Sequence, residues 1–241
     1  MISLINLVHS YPLHYAMREI DEVEINSPRE NLKLVMEGKA ECGMVSLLDY
    51  FRNMESLKLI PGPNIHSRSR TISTIVISKG ENLYHGARIA VTAQTETTSF
   101  YLEQILKVEF PKAETIKMSY SSAKELLEEE QFALVIGDEA LKAYSENYRI
   151  LIDVGLHYSL LTSYYPVYAV MVSKEELSDE RTGQINMAVI NSKNFIQNAI
   201  KDGEDKGFSK ELLSSYYRAI GYQFDDVIRR SIDYAYMNFK K

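Results

Sequence analysis

The sequence has one cysteine, no long apolar run and no surplus of basic charge, and each shortage removes a class of function. Cys42, the single cysteine in 241 residues, cannot form an internal disulfide, which fits a reducing compartment. It lies in Glu41-Cys-Gly-Met-Val-Ser46, which reads as a buried strand, so an inert core thiol is expected rather than a nucleophile. No stretch approaches the roughly 20 apolar residues that cross a bilayer. Met1 to Val8 opens on strand-like apolar residues, with no basic leader or small-residue cleavage site. A secretory signal is therefore not expected, and the protein is expected in the cytoplasm. The net charge is −6, and Lys and Arg are spread along the chain, so a nucleic-acid partner is not expected. No G-x-S-x-G elbow, Walker loop or G-x-G-x-x-G occurs. The five His residues show no H-x-x-x-H pairing, and one Cys cannot build a thiolate metal site. No metal is expected.

What is present is ordinary for a soluble fold, with 45% hydrophobic and 25% charged residues. The length suits two lobes of roughly 100 residues each. Short apolar runs of strand length, Ile2–Val8, Val23–Ile25, Cys42–Ser46 and Leu57–Ile60, alternate with helical stretches. Pro12–Met17 can start a short helix. Ser27 as N-cap, Pro28 at N1 and Glu30 at N3 open another, which Gly38 ends. Pro61-Gly-Pro63 is expected to break the strand before it. Thr71–Ser78 is rich in β-branched residues, and after Lys79-Gly80 the alternation restarts. Strands are predicted over 88–92, 115–120, 132–136, 149–154 and 166–173, with helices over 98–108 and 122–130. From about Ser178 only helices are predicted, with Ile185, Val189, Ile196 and Ile200 on one face and Phe224, Val227, Ile228 and Ile232 on another.

This alternation predicts mostly parallel sheets. The restart near Gly80 points to a second lobe inserted within the first, with crossings at 71–78 and 166–173. The expected boundaries are 1–78 with 170–241 for one lobe and 79–169 for the other. A single doubly wound sheet is equally compatible with the alternation alone.

Several segments place hydroxyls and backbone N–H groups between a strand and a helix start, a place that favours anions. In Val91-Thr-Ala-Gln-Thr-Glu-Thr-Thr-Ser99, Thr97, Thr98 and Ser99 can grip a carboxylate or simply cap the helix. Ser10 after the first strand can bond a ligand, and His9 can move a proton or bond backbone. His14, one turn on, is expected at the surface. Ser46 ends a buried strand. Ser73 and Thr74 lie in an expected strand, where they face opposite sides. Asp138 in Ile136-Gly-Asp138 can bind a hydroxyl or cap a helix. Of the seventeen Tyr residues, Tyr164, Tyr165 and Tyr168 can wall an aromatic ligand.

Taken in order, these segments resemble the chorismate dehydratase family of the futalosine route to menaquinone, over roughly residues 2–200. Val8-His-Ser-Tyr-Pro-Leu13 is similar to a Leu-Asn-Ser/Thr-x-Pro-Leu signature. Gly38–Tyr50 resembles G-x-x-D-x-A-x-x-S-S-x-E-Y. Pro61-Gly-Pro-Asn-Ile65, Thr71-Ile-Ser-Thr74, Glu96-Thr-Thr-Ser99, Leu134–Ala140, Asp153-Val-Gly155 and Pro166-Val-Tyr-Ala169 follow in the family's order. The resemblance implies an α/β, two-lobed fold of the periplasmic-binding-protein type 2 kind, with a ligand cleft and hinge between the lobes. It implies a carbon–oxygen lyase that removes water from chorismate to give 3-enolpyruvyl-benzoate, with no cofactor. His9 and Ser73 are the expected catalytic residues. Ser10, Ser46, Thr97, Thr98, Ser99 and Asp138 are the expected substrate contacts. The chain departs from the pattern at His9, where the family has Asn, at Leu47 and Glu96, each in place of a serine, and in lacking a tryptophan near His157. His9 in the Asn position can act as a general acid. Two other readings stay open: a non-catalytic binding protein for an aromatic or dicarboxylic acid, and a naphthoate-synthase-like enzyme. The oligomeric state is not legible in the sequence.

Overall fold

A computed structural model describes residues 1–92, 95–146 and 148–240. The chain divides into two units, Met1–His66 with Val167–Lys241, and Ser67–Pro166.

The first unit begins β1 (Ile2–Ile5), a 3₁₀ turn (Val8–Ser10), α1 (Tyr11–Arg18), β2 (Val23–Asn26), α2 (Pro28–Met36), β3 (Cys42–Ser46), α3 (Leu47–Arg52) and β4 (Lys58–Ser67). The second unit holds β5 (Thr74–Ser78), β6 (Arg88–Thr92), α4 (Glu96–Glu109), β7 (Glu114–Met118), α5 (Ala123–Glu129), β8 (Phe132–Ile136), α6 (Gly137–Ala143), β9 (Arg149–Asp153) and α7 (Val154–Thr162). The chain returns to the first unit through β10 (Val167–Ser173), α8 (Asp179–Asn191), α9 (Ile196–Asp205), α10 (Lys210–Ala219), β11 (Ile220–Gly221) and α11 (Asp226–Phe239).

The first sheet runs β11-β4-β10-β3-β1-β2 and the second β7-β6-β8-β5-β9. Their apolar sets are separate. Ile2, Leu4, Leu13, Met17, Val35 and Met44 are buried in the first. Ile75, Ile77, Ala90, Leu126, Ala133 and Val135 form a core in the second. Local chemistry sets the helix starts as expected. The Ser27 hydroxyl accepts the Glu30 N–H at 3.2 Å and Pro28 follows at N1, while Ser122 and Glu125 form a reciprocal capping box.

Four expectations are corrected. The strand at 71–78 is not a crossing. Only Thr74–Ser78 is extended, and it lies inside the second sheet, antiparallel to β8 and β9. The crossings fall at His66/Ser67 and Pro166/Val167, so the inserted unit starts twelve residues earlier than Lys79. The reason is β4, which does not stop at Pro61-Gly62-Pro63. Leu59 pairs with Val172 and Asn64 with Val170, so the intervening residues form a bulge, where proline's missing N–H is tolerated. Parallel pairing is only half the pattern, since β10 is antiparallel to both its neighbours and β5 to both of its own. Finally, the C-terminal third is not helical throughout, because Ile220–Gly221 adds a short strand beside β4.

Candidate functional site

In the first unit β1, β2 and β3 are parallel, so their carboxyl ends share one edge of the sheet. Ligands of open α/β sheets sit at such an edge. It carries the Val8–Ser10 turn, Asn26 and Ser46. Ala169 of β10 pairs with Ser46 and Val167 with His66, so the chain leaves and re-enters the first unit at this same edge.

Ser10 is fully buried and stands at the N-cap position of α1, yet its hydroxyl makes no capping bond. It has no hydrogen-bond partner among the described residues. A buried hydroxyl left unpaired costs about 1–3 kcal/mol, so its position calls for an external partner. The same holds for the buried Nδ2 of Asn26, the last residue of β2. His9, which precedes Ser10 in the turn, is half-buried. Ser46 differs. Its hydroxyl caps α3 by accepting the Asp49 N–H at 3.1 Å and donates its one proton to the Asp49 carboxylate at 2.8 Å.

His14 is corrected from surface to interior. It is 5% exposed, its Nε2 lies 2.9 Å from the Ile5 carbonyl, and burial pushes its imidazole down to about 4. It is therefore neutral at pH 7 and donates to that carbonyl. Cys42 is fully buried in β3 and burial raises its thiol to about 12, as an inert core cysteine requires.

In the second unit β6 and β8 are parallel, and Thr74 of β5 pairs with Ile136, the last residue of β8. One edge of this sheet therefore collects the start of α4, Asp138 and Ser73. Helix α4 starts two residues before the expected Thr98, with Thr95 as N-cap. Thr97, Thr98 and Ser99, all buried, thus lie inside its first turn rather than capping it. The Thr95 hydroxyl donates back to the Thr92 carbonyl at 2.7 Å. The first-turn N–H groups of a helix lack intrahelical acceptors and attract anions. Ala93 and Gln94 of the threonine-rich segment lie outside the described residues. Asp138 does not cap α6 either: the N-cap is Ile136, and Asp138, partly exposed, sits in the first turn. Ser73 precedes β5 instead of lying in it, so strand alternation does not govern its direction. It is buried, and its carbonyl accepts the Gly137 N–H at 2.8 Å.

Sequence reasoning missed what holds Ser73 in place. The buried Asp153 carboxylate accepts N–H bonds from Thr71 at 2.9 Å, Ile72 at 2.9 Å and Leu156 at 3.1 Å. It bridges the loop before Ser73 to the start of α7, and Ile72 is held at φ 69°, an uncommon backbone for a β-branched residue. Asn26 was missed too, since nothing in the local sequence marks which way an amide at a strand end will point.

A cavity of about 290 Å³ lies elsewhere in the first unit, beside Tyr50, Leu59, Phe224, Arg229 and Asp233; no expected site residue lines it. Among the described residues, no helix is long and apolar enough to cross a membrane.

The family model for menaquinone biosynthesis matches residues 2–240. The chain belongs to the menaquinone biosynthesis family. Chorismate dehydratase of Thermus thermophilus is 32% identical to this member of the family over 137 residues, which is 56% of this chain and 49% of the relative. The match thus spans about half the length of that relative. Among solved structures, an Archaeoglobus fulgidus protein superimposes with a TM-score of 0.73 at 16% identity, covering 99% of this chain and 96% of that one. The periplasmic aliphatic sulphonate binding protein of Escherichia coli gives 0.71 at 8% identity, covering 99% and 85%. A Candida albicans protein with the generic periplasmic-binding-protein fold gives 0.55 at 10% identity, covering 100% and 90%. These likenesses establish the periplasmic-binding-protein-like fold of this menaquinone-family chain.

Proposed function

We propose that this member of the menaquinone biosynthesis family is a chorismate dehydratase-like hydro-lyase acting in the cytoplasm. Water leaves chorismate when hydroxide departs one ring carbon and a proton departs its neighbour; the ring becomes aromatic and the product is 3-enolpyruvyl-benzoate. Each unit has an edge rich in donors suited to a carboxylate, and chorismate carries carboxylates. In the first unit these are the Ser10 hydroxyl and the Asn26 amide. In the second they are the first turn of α4, with Thr97, Thr98 and Ser99, and the neighbouring Ser73, while Asp138 accepts from a substrate hydroxyl. His9 serves as general acid to the departing hydroxide. The observation that carries the reading is Ser10: a fully buried hydroxyl without a partner among the described residues, at the edge where ligands of this sheet type bind, in a chain similar to a chorismate dehydratase.

Purified protein incubated with chorismate is expected to give a product lighter by one water by mass spectrometry. Absence of that product while chorismate still raises the melting temperature would instead support a non-catalytic binding protein, the role named for the sulphonate-binding neighbour. Full turnover by His9→Ala would remove His9 from the chemistry. Unchanged chorismate affinity in Thr98→Val with Ser99→Ala would remove the α4 turn from the site.

A further inference from the structure

We infer that Tyr217 and Tyr222 are positioning residues, whose hydroxyls fix the Val8–Ser10 turn and so set the direction of the Ser10 hydroxyl toward the ligand. Neither lies in the motifs that carry the family resemblance. The inference rests on the functional reading of Ser10 given above.

The Tyr217 hydroxyl donates to the Val8 carbonyl at 2.9 Å, and the Tyr222 hydroxyl donates to the His9 carbonyl at 2.8 Å. The Val8 carbonyl also accepts the Tyr11 N–H, and the Ser10 N–H donates to the Leu7 carbonyl at 2.9 Å. Each peptide unit is planar, so pinning the carbonyls of Val8 and His9 fixes the two planes that flank the His9 Cα. That removes backbone rotation at His9 and fixes the φ side of Ser10, the residue whose hydroxyl has no partner among the described residues.

The two tyrosines are themselves held. Tyr217 is buried near the end of α10. Tyr222 follows β11, and its carbonyl accepts both the backbone N–H of Asn64 at 3.1 Å and its Nδ2 at 3.0 Å. Asn64 is fully buried, and its Oδ1 lies 2.6 Å from Nδ1 of His66. The neighbouring Gly221 leaves room for that imidazole, because a Cβ there would come within 2.2 Å of Nε2. A rigid bracket therefore runs from β4 through Tyr222 to the turn. A 3₁₀ helix this short does not hold itself: a segment of three residues has poor internal hydrogen-bond geometry, so outside bonds decide its shape.

The test is Tyr222→Phe, which removes only the hydroxyl from a half-buried ring, with Tyr217→Phe as the second variant. In amide hydrogen exchange of the ligand-free protein, Leu7 to Tyr11 should exchange about fivefold or more faster in Tyr222→Phe, with β8 amides unchanged. Chorismate affinity should fall about five- to tenfold, and that loss should vanish in a Ser10→Ala background, because the two residues act through one hydroxyl. An equal loss of affinity with and without Ser10 would overturn the positioning role, as would unchanged exchange at Leu7 to Tyr11 in both tyrosine variants. Should the wild-type protein neither bind nor convert chorismate, the functional reading falls, and the exchange comparison still decides whether the tyrosines fix the turn.

Discussion

Asp153 accepts the backbone N–H of Thr71 at 2.9 Å, 82 positions earlier in the chain. With Ile72 and Leu156 it receives three such bonds on a side chain that is 5% exposed. Hydrogen bonds to a charged acceptor are the stronger kind, and an N–H left buried without one is costly. Asp153→Ala should therefore destabilise the protein by about 3 kcal/mol or more, measured by urea unfolding. Asp153→Asn should recover part of the loss. A loss below about 1 kcal/mol for Asp153→Ala would show that water replaces the carboxylate.

Gly155 faces the loop that Asp153 holds. An added Cβ would lie 1.9 Å from the Thr71 Oγ1 and 2.5 Å from the Ser67 Oγ, two hydroxyls that are bonded to each other at 2.7 Å. Overpacking of this kind costs about 1–3 kcal/mol. Gly155→Ala should lower the melting temperature, and Gly155→Ala with Thr71→Ala should regain some of it. A wild-type melting temperature in the single variant would mean that the loop moves aside freely.

The buried His14 makes stability depend on pH. Its imidazole is depressed to about 4 in the fold, against about 6.5 unfolded. Between those values the unfolded chain binds the extra proton and the folded one does not, so stability rises with pH across that window. The group's contribution is fully present above about 6.5 and is lost as pH falls toward 4, by roughly 3 kcal/mol. His14→Gln should flatten this part of the stability–pH curve relative to wild type. Identical slopes for the two proteins from pH 4 to 7 would contradict the buried neutral state.

Ser10 and Ser46 should separate stability from binding. Ser10→Ala removes a buried hydroxyl with no partner among the described residues, so unfolding free energy should stay level or rise by about 1 kcal/mol while chorismate affinity drops. Ser46→Ala removes an N-cap and should cost about 1 kcal/mol of stability with a smaller effect on affinity. Paired calorimetry and thermal melts distinguish them; the reverse assignment would displace Ser10 from the site.

Much of this was readable from residues that act locally. Ser27, Pro28 and Glu30 announce α2 because capping chemistry spans only a few positions. Cys42 to Ser46 reads as β3 because the run is continuously apolar. Two sheets are present, while the alternation alone left one doubly wound sheet equally open. It failed where long-range pairing decides. Pro61-Gly62-Pro63 looks like a break, but pairing of β4 with β10 converts it into a bulge. Ile220–Gly221 is too short to carry any period, and becomes a strand only because β4 offers an edge. For the site, hydroxyl-rich helix starts named candidate residues by local chemistry alone. They did not show that the Ser46 proton is already taken or that Asp153 fastens the loop before Ser73, since those facts depend on side-chain direction and on distant partners.

The insertion of Ser67–Pro166 between β4 and β10 also imposes an order on synthesis. The inserted unit is contiguous, and its ends meet where the Ser67 N–H reaches the Pro166 carbonyl at 3.3 Å, so it can fold as soon as residue 166 has emerged. The first unit cannot. Strand β3 takes its antiparallel partner from β10, which leaves the ribosome more than 100 residues later. Until then the apolar Cys42–Ser46 edge stands open, a strand edge of the sort that recruits other chains. The nascent protein should therefore depend most on chaperones in the interval between emergence of β3 and arrival of β10.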